Sequence, residues 1–302
     1  MVKNNSKLLL KVYFSIILFL MSGVCLLAQS NIIAEKNFDV KPGEELKVDT
    51  EGADINVWSW DKNTVEVKVY GNRRAEEKLE IEIEQTSRGV ELNIEKRGGF
   101  FSGWFNSLSC RAEIRVPENY NIFVKTSGGD VSVEQITGRV ELKTSGGDVN
   151  SANVKGNLKI STSGGDIIVK DQQGESDLST SGGDIKGRSL EGNVDASTSG
   201  GDIELSVEKG KVEASTSGGD VVVEFNGVNE GIDLRTSGGD VSLNVRKDIK
   251  ADVYLYASGG RVDCALDATK VYKESKRKFE GEINGGGEKI YCKTSGGDVE
   301  VR

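Results

Sequence analysis

Eight aspartates recur along this 302-residue chain in one setting: Asp130, Asp148, Asp166, Asp184, Asp202, Asp220, Asp240 and Asp298 each follow Thr-Ser-Gly-Gly. The first six stand 18 residues apart. If each interval is one turn of a stack, successive carboxylates lie about 4.8 Å apart. Like charges at that spacing repel by about 1 kcal/mol even in water. Two chemistries offset such a cost. The carboxylates can accept hydrogen bonds from Ser hydroxyls and corner N–H groups, as Asp does in turns. Alternatively they can bind calcium, as in Gly-Gly-rich nonapeptide rolls. Those rolls carry metal-binding corners on both sides of each coil, whereas the second turn here is irregular. Structural capping, with no metal and no cofactor, is the expectation.

Other chemistry is scarce. The chain has no His, which removes the usual general base and the commonest metal ligand. It has no Gly-x-Ser-x-Gly elbow, no Gly-Lys-Ser/Thr phosphate loop and no Cys-x-x-Cys. Paired carboxylates for glycoside cleavage are the one catalytic set the composition permits. An active site is a local departure from regularity, and these Asp residues are regular, so no enzyme is expected. Cys264 and Cys292 fall in inward columns of two opposed strands, each four residues from its Gly pair. They can form a disulfide if the chain is exported, or serve as two small buried apolar side chains. Cys110 is the odd cysteine in either case.

The elements that position these residues follow from the repeat. Thr-Ser-Gly-Gly-Asp starts at Thr126, Thr144, Thr162, Thr180, Thr198 and Thr216, then at Thr236 and Thr294, with Ala257-Ser258-Gly259-Gly260-Arg261 as a variant. A fixed period of this length marks stacked coils. Five places after each Thr stands Val or Ile, from Val131 to Val299, the types that stack best on a pleated surface. Two places before it stands an apolar residue, from Val124 to Cys292. Alternation then turns the Thr inward and the Asp outward. The Gly-Gly corner needs positive φ or a close backbone approach that a Cβ would obstruct. A second turn carries Gly138, Gly156, Gly174, Gly192 or Gly210. The expected fold is all-β: a parallel β-solenoid (β-helix or roll) with two-strand coils of 18–21 residues and an irregular N-terminal cap.

Taken in order, residues 1–28 resemble a secretory signal, with Lys3, Lys7 and Lys11 before the apolar run Val12 to Leu27. Cys25 raises a lipid anchor as an alternative, and an uncleaved membrane anchor is another. Losing three lysines makes the net charge of −9 more acidic still, a poor basis for holding nucleic acid or anionic lipid through bulk charge. Residues 29–125 are an irregular β region. Asp49 to Ile55 is a worn corner with Leu46, Val48, Ile55 and Val57 inward, and Thr86 to Val90 is another candidate corner. Residues 126–302 hold the regular repeats, interrupted by a Lys-rich insertion at 263–287 that is either a solvated face or a small contact patch for an acidic polymer or partner. Phe100, Phe101, Trp104 and Phe105 gather aromatics in six residues. They form either a lid on the stack or an exposed patch for a partner or a membrane surface.

The repeated corner, the worn copy near Asp54, and Phe279-Glu280-Gly281-Glu282-Ile283 with Gly285-Gly286-Gly287 before a last corner resemble the bacterial putative-adhesin β-strand-repeat family, within the "toastrack" group of envelope domains. The resemblance covers residues 40–302. It implies an exported, periplasmic or cell-surface β-solenoid without known catalysis, and no site residues to carry over. The expected function is an adhesin-like binding or scaffolding module for an envelope protein or polymer. The alternatives are an envelope-stress or antimicrobial-peptide sensing component and, far behind, a carbohydrate-active enzyme.

Overall fold

Val and Ile at one place in every repeat pack their branched side chains against those above and below, and the strands follow that column. The structure, a computed structural model, describes residues 31–97 and 109–302. The sequence-predicted signal at 1–28 and the aromatic residues Phe100, Phe101, Trp104 and Phe105 lie outside the described residues. The fold is all-β, with one short helix, and the described residues form 26 strands. None of their helices is long and apolar enough to cross a membrane.

The N-terminal part comprises β1 (Asn31–Asp39), β2 (Glu45–Thr50), β3 (Asp54–Trp60), β4 (Thr64–Gly71), helix α1 (Arg73–Lys78), β5 (Leu79–Gln85), β6 (Gly89–Lys96) and β7 (Cys110–Pro117). The Asn72 side chain caps α1 by accepting from the Ala75 N–H. The repeats follow as β8 (Asn121–Thr126), β9 (Val131–Thr137), β10 (Val140–Lys143), β11 (Val149–Lys155), β12 (Leu158–Ser161), β13 (Ile167–Gln173), β14 (Ser176–Ser179), β15 (Ile185–Glu191), β16 (Val194–Ser197) and β17 (Ile203–Ser215). The chain continues through β18 (Val221–Phe225), β19 (Asn229–Arg235), β20 (Val241–Val245), β21 (Ala251–Ala257) and β22 (Val262–Cys264). It ends with β23 (Ala268–Ser275), β24 (Lys278–Ile283), β25 (Lys289–Thr294) and β26 (Val299–Val301).

Two sheets run along the stack. In sheet A, β9, β11, β13, β15 and β17 pair in parallel, with Val131, Val149, Ile167, Ile185 and Ile203 in one register row. In sheet B, β8, β10, β12, β14, β16 and β17 do the same, aligning Val124, Leu142, Ile160, Leu178, Ala196 and Ala214. Both rows are buried in a single core. The Thr column faces inward as expected, from Thr50 to Thr294.

The worn copy is a working corner. Leu46, Val48, Ile55 and Val57 are buried, and β2 and β3 pair with β8 and β9. Thr86 to Val90 is not a corner: it turns an antiparallel hairpin in which Gln85 faces Val90. The 263–287 insertion is also a hairpin, β23 against β24, and β24 pairs antiparallel with β21. At the other end β4 lies antiparallel to β7, and β1 to β4.

Chain order and spatial order part at the C-terminus. The last strands in sequence wedge inside the stack, β25 between β19 and β21, and β26 between β20 and β22. The corner Ala257 to Arg261 is therefore the outermost one.

The cause of the Gly pair is close approach. A Cβ on Gly165 would lie 1.9 Å from the Gly147 carbonyl oxygen, and the second Gly of each later corner meets the preceding coil in the same way. The first Gly is open in the early corners, where a Cβ on Gly146 meets nothing within 4 Å, and closes in later ones, to 2.8 Å from a neighbouring carbonyl oxygen at Gly259 and Gly296. Positive φ belongs to the second turn, at Gly138, Gly156, Gly174, Gly192 and Gly210.

Two outcomes test this packing. Gly165→Ala should cost about 3 kcal/mol or more, while Gly146→Ala should cost less than about 1 kcal/mol. Equal losses in thermal melts would sink the close-approach account. Ser176 occupies the inward column between Leu158 and Val194, and its buried hydroxyl has no partner. Ser176→Val should therefore raise stability by about 1 kcal/mol, read as a higher melting temperature.

Candidate functional site

The repeated corner is where Thr and Asp do their chemistry, and both act between coils. Thr162 Oγ1 donates to the Gly147 carbonyl at 3.1 Å and accepts from the Gly165 N–H at 3.3 Å. Thr180 does the same with Gly165 and Gly183. Asp166 Oδ1 accepts from the Asp184 N–H at 2.8 Å, and the Asp166 N–H donates to Asp148 Oδ1 at 2.8 Å. The ladder starts at Asp54, which accepts from the Asp130 N–H, and ends at Asp298, which accepts from the Arg261 N–H. The carboxylates thus do cap N–H groups, but the donor is the amide of the next coil. Among the described residues, no group of three or more Asp, Glu, Cys or His side chains converges on one point.

Three further placements bear on the sequence reading. Cys110, Cys264 and Cys292 are free thiols in this structure. Burial raises all three thiol pKa values, that of Cys110 to about 11. Asp177, Asp195 and Glu213 line up on the outer face of sheet B. Burial first, then its two acidic neighbours, raises the Asp195 carboxyl above its ordinary value. Lys159 and Lys211 pair with the outer two. These carboxylates stand on a sheet face. A groove of about 670 Å³ lies elsewhere, lined by Glu208, Asn226, Asn229, Glu230, Arg246 and Glu288 among others.

Sequence reasoning missed two aromatic clusters on outer faces, at opposite ends of the stack. Near the N-terminus, Trp58 and Trp60 alternate along β3 with Arg115 of β7 beside them. The Arg115 guanidinium lies 5.6 Å and 5.5 Å from the two ring centroids, and Lys62 lies over Trp60 at 4.6 Å. Trp60 Nε1 donates to the Thr64 carbonyl at 2.7 Å, and Arg115 also reaches Glu66 at 3.5 Å. Near the C-terminus, Tyr254 and Tyr291 stack at 5.1 Å and 7° between planes. The signal was present in Trp58-Ser-Trp60, since residues i and i+2 share a strand face. It was also present in the column three places before each Thr or Ala, which holds both Tyr254 and Tyr291.

The corner account has a direct test. Asp166→Asn keeps an acceptor and should stay within about 0.5 kcal/mol of the parent, whereas Asp166→Ala should cost about 1–2 kcal/mol. Chelator should leave the melt unmoved. A downward shift restored by calcium would assign the column to metal instead.

Among solved structures, a "putative adhesin" from Bacteroides fragilis NCTC 9343 matches at TM-score 0.52 and 19% identity, covering 70% of this chain and 96% of that one. A "putative lipid binding protein" from Parabacteroides distasonis ATCC 8503 matches at 14% identity and TM-score 0.40, covering 89% of this chain and 96% of that one. A "putative adhesin" from the same strain matches at 13% and 0.37, covering 91% and 98%. At such identity the first speaks to fold alone. Comparison with curated proteins finds no match. The Toastrack DUF4097 model matches residues 43–302, from just before β2 to the end of the chain. The chain belongs to the Toastrack DUF4097 family.

Proposed function

We propose that this chain is a non-enzymatic parallel β-solenoid of the cell envelope, exported through its first 28 residues, that serves as an adhesin-like binding or scaffolding module. The Trp58, Trp60 and Arg115 cluster carries the reading. Trp, Tyr and Arg are the residue types that supply most binding energy at protein surfaces. Here the three are held in place by two paired strands, a hydrogen bond to Thr64 and an ion pair to Glu66. They leave an outer face on which a partner can settle without displacing the core. The fold shared with a protein titled a "putative adhesin" supports the same reading.

The test is retention of purified protein on a washed envelope fraction. Trp58→Ser with Trp60→Ser should reduce retention about tenfold or more while the circular-dichroism melt stays close to the parent. Undiminished retention by the folded double variant would remove the cluster from the contact. Phe101→Ser with Trp104→Ser, in the same assay, reports on the aromatic segment that the sequence offers as a lid or a contact patch.

A further inference from the structure

The C-terminal end of sheet B has an outer face unlike the rest of the molecule. There β19, β25, β21, β24 and β23 lie side by side. Their register sets Asp233, Tyr291, Tyr254, Glu280 and Lys273 in one row, and Arg235, Lys293, Tyr256 and Lys278 in the next. Each row runs along the stack with one side chain about every 4.8 Å.

The charge of this face departs from that of the chain. Arg235 and Lys278 are tied to Asp233 and Glu280. Among the described residues, Lys273, Lys289 and Lys293 make no ion pair with a carboxylate, nor do Lys276 and Arg277 in the β23–β24 turn. The adjoining row sets Lys289 opposite Asp252 and Lys270 opposite Glu282, with Lys289 also 4.7 Å from the Tyr291 ring centre, yet cations outnumber carboxylates on this face of a chain of net charge −9.

The tyrosines narrow the choice of partner. Arg235 covers Tyr291 at 4.8 Å, Tyr291 stacks on Tyr254, and Lys278 covers Tyr254 at 4.4 Å. Arg, Tyr, Tyr and Lys make four layers along the stack, so the ring faces are taken. Bases need open ring faces to stack, which argues against single-stranded nucleic acid. A membrane surface calls for apolar insertion, and no large exposed apolar side chain stands on β19, β25, β21 or β24, Val271 and Tyr272 being confined to the edge strand β23. What the face does offer is a line of ammonium, guanidinium and phenol donors at strand spacing. That suits carboxylates and hydroxyls repeated along a linear chain.

We infer that this face, the outer side of sheet B around Tyr254, Tyr291, Lys289, Lys293 and Lys273, docks a linear acidic polysaccharide laid along the stack. The inference rests on the reading of the chain as an envelope binding module and names the class of partner.

The probe is polygalacturonate, with neutral dextran and phosphatidylglycerol vesicles alongside. An acidic protein is repelled by a polyanion in bulk, so binding at low salt marks a local site. The intact protein should bind polygalacturonate, and more weakly as salt rises. Lys289→Glu with Lys293→Glu should weaken binding about tenfold or more. Lys155→Glu with Lys170→Glu makes the same charge change at exposed positions of β11 and β13 in sheet A and should change it less than about threefold. Lys273→Glu, on the edge strand, gives the same readout should the first pair fail to fold. Failure of the parent protein to bind overturns the inference. So do equal losses in the two pairs, equal binding to dextran, or tighter binding to the vesicles. If polygalacturonate is ignored while envelope retention persists, this inference falls and the broader reading stands. If envelope retention is also absent, the broader reading falls with it.

Discussion

The stack depends on one contact, the approach of one coil's backbone to the next at the Gly-Gly corner. The Gly147 carbonyl oxygen occupies the space that a Cβ of Gly165 would need. The corner interrupts both sheet ladders, and buried backbone groups left without partners would cost stability. Thr and Asp settle that account from opposite directions. Each Thr hydroxyl of the repeat reaches back to a carbonyl of the preceding coil, Thr126 to Ala53 and the later ones to a Gly, as Thr162 does to Gly147, and each Asp carboxylate reaches forward to an amide of the next, as Asp166 does to Asp184. The pentapeptide repeats because its three functional residue types serve this one gap.

The direction of those bonds explains how the stack ends. An Asp at the last corner would face no further amide and would extend the carboxylate column without a compensating bond. Arg261 stands there instead, and its guanidinium lies 3.3 Å from Asp298, the final carboxylate. The departure from the repeat at Ala257 to Arg261 is thus a mark of spatial position. Antiparallel strands cover sheet B at both ends, β24 and β23 at one and β5 at the other, and cover sheet A at its N-terminal end, by β4 and β1. Hairpins at the edges keep a further coil from adding in register.

Those features differ in how far the sequence disclosed them. The inward columns, the buried Thr and even the worn corner at Thr50 were legible, because burial repeats a residue type at a fixed interval. The hairpin turn at Thr86 was mistaken for a corner, since a turn rich in Ser, Gly and Arg does not declare which strands it joins. Gln135, Asn153, Asp171 and Ser189 share a left-handed backbone with φ between 53° and 60°. They give no common signal because the column is exposed and tolerates four residue types. The spatial order of the last two coils was hidden for another reason: every corner pairs with every other equally well in a column count. Only the Arg at position 261 distinguished the end, and its meaning depends on the direction of the Asp bonds.

The same physics separates recognition from folding. An outward side chain in a regular coil must suit its copies about 4.8 Å above and below. The column three places before Thr accordingly runs Glu141, Lys159, Asp177, Asp195, Glu213 and Asp233, with lysines drawn in to neutralise it. Neutralisation is incomplete at Asp195, whose carboxyl pKa is raised by burial first and then by its neighbours Glu213 and Asp177. Aromatic pairs avoid that repulsion and gain from stacking. Aromatic side chains occur where the regular pattern gives out, as the stacked Tyr254 and Tyr291 at one end and as Trp58 and Trp60 beside Arg115 at the other. None of these rings enters the buried core. Binding chemistry can therefore change at the ends of such a stack while the inward columns and the corner ladder go on specifying the same fold.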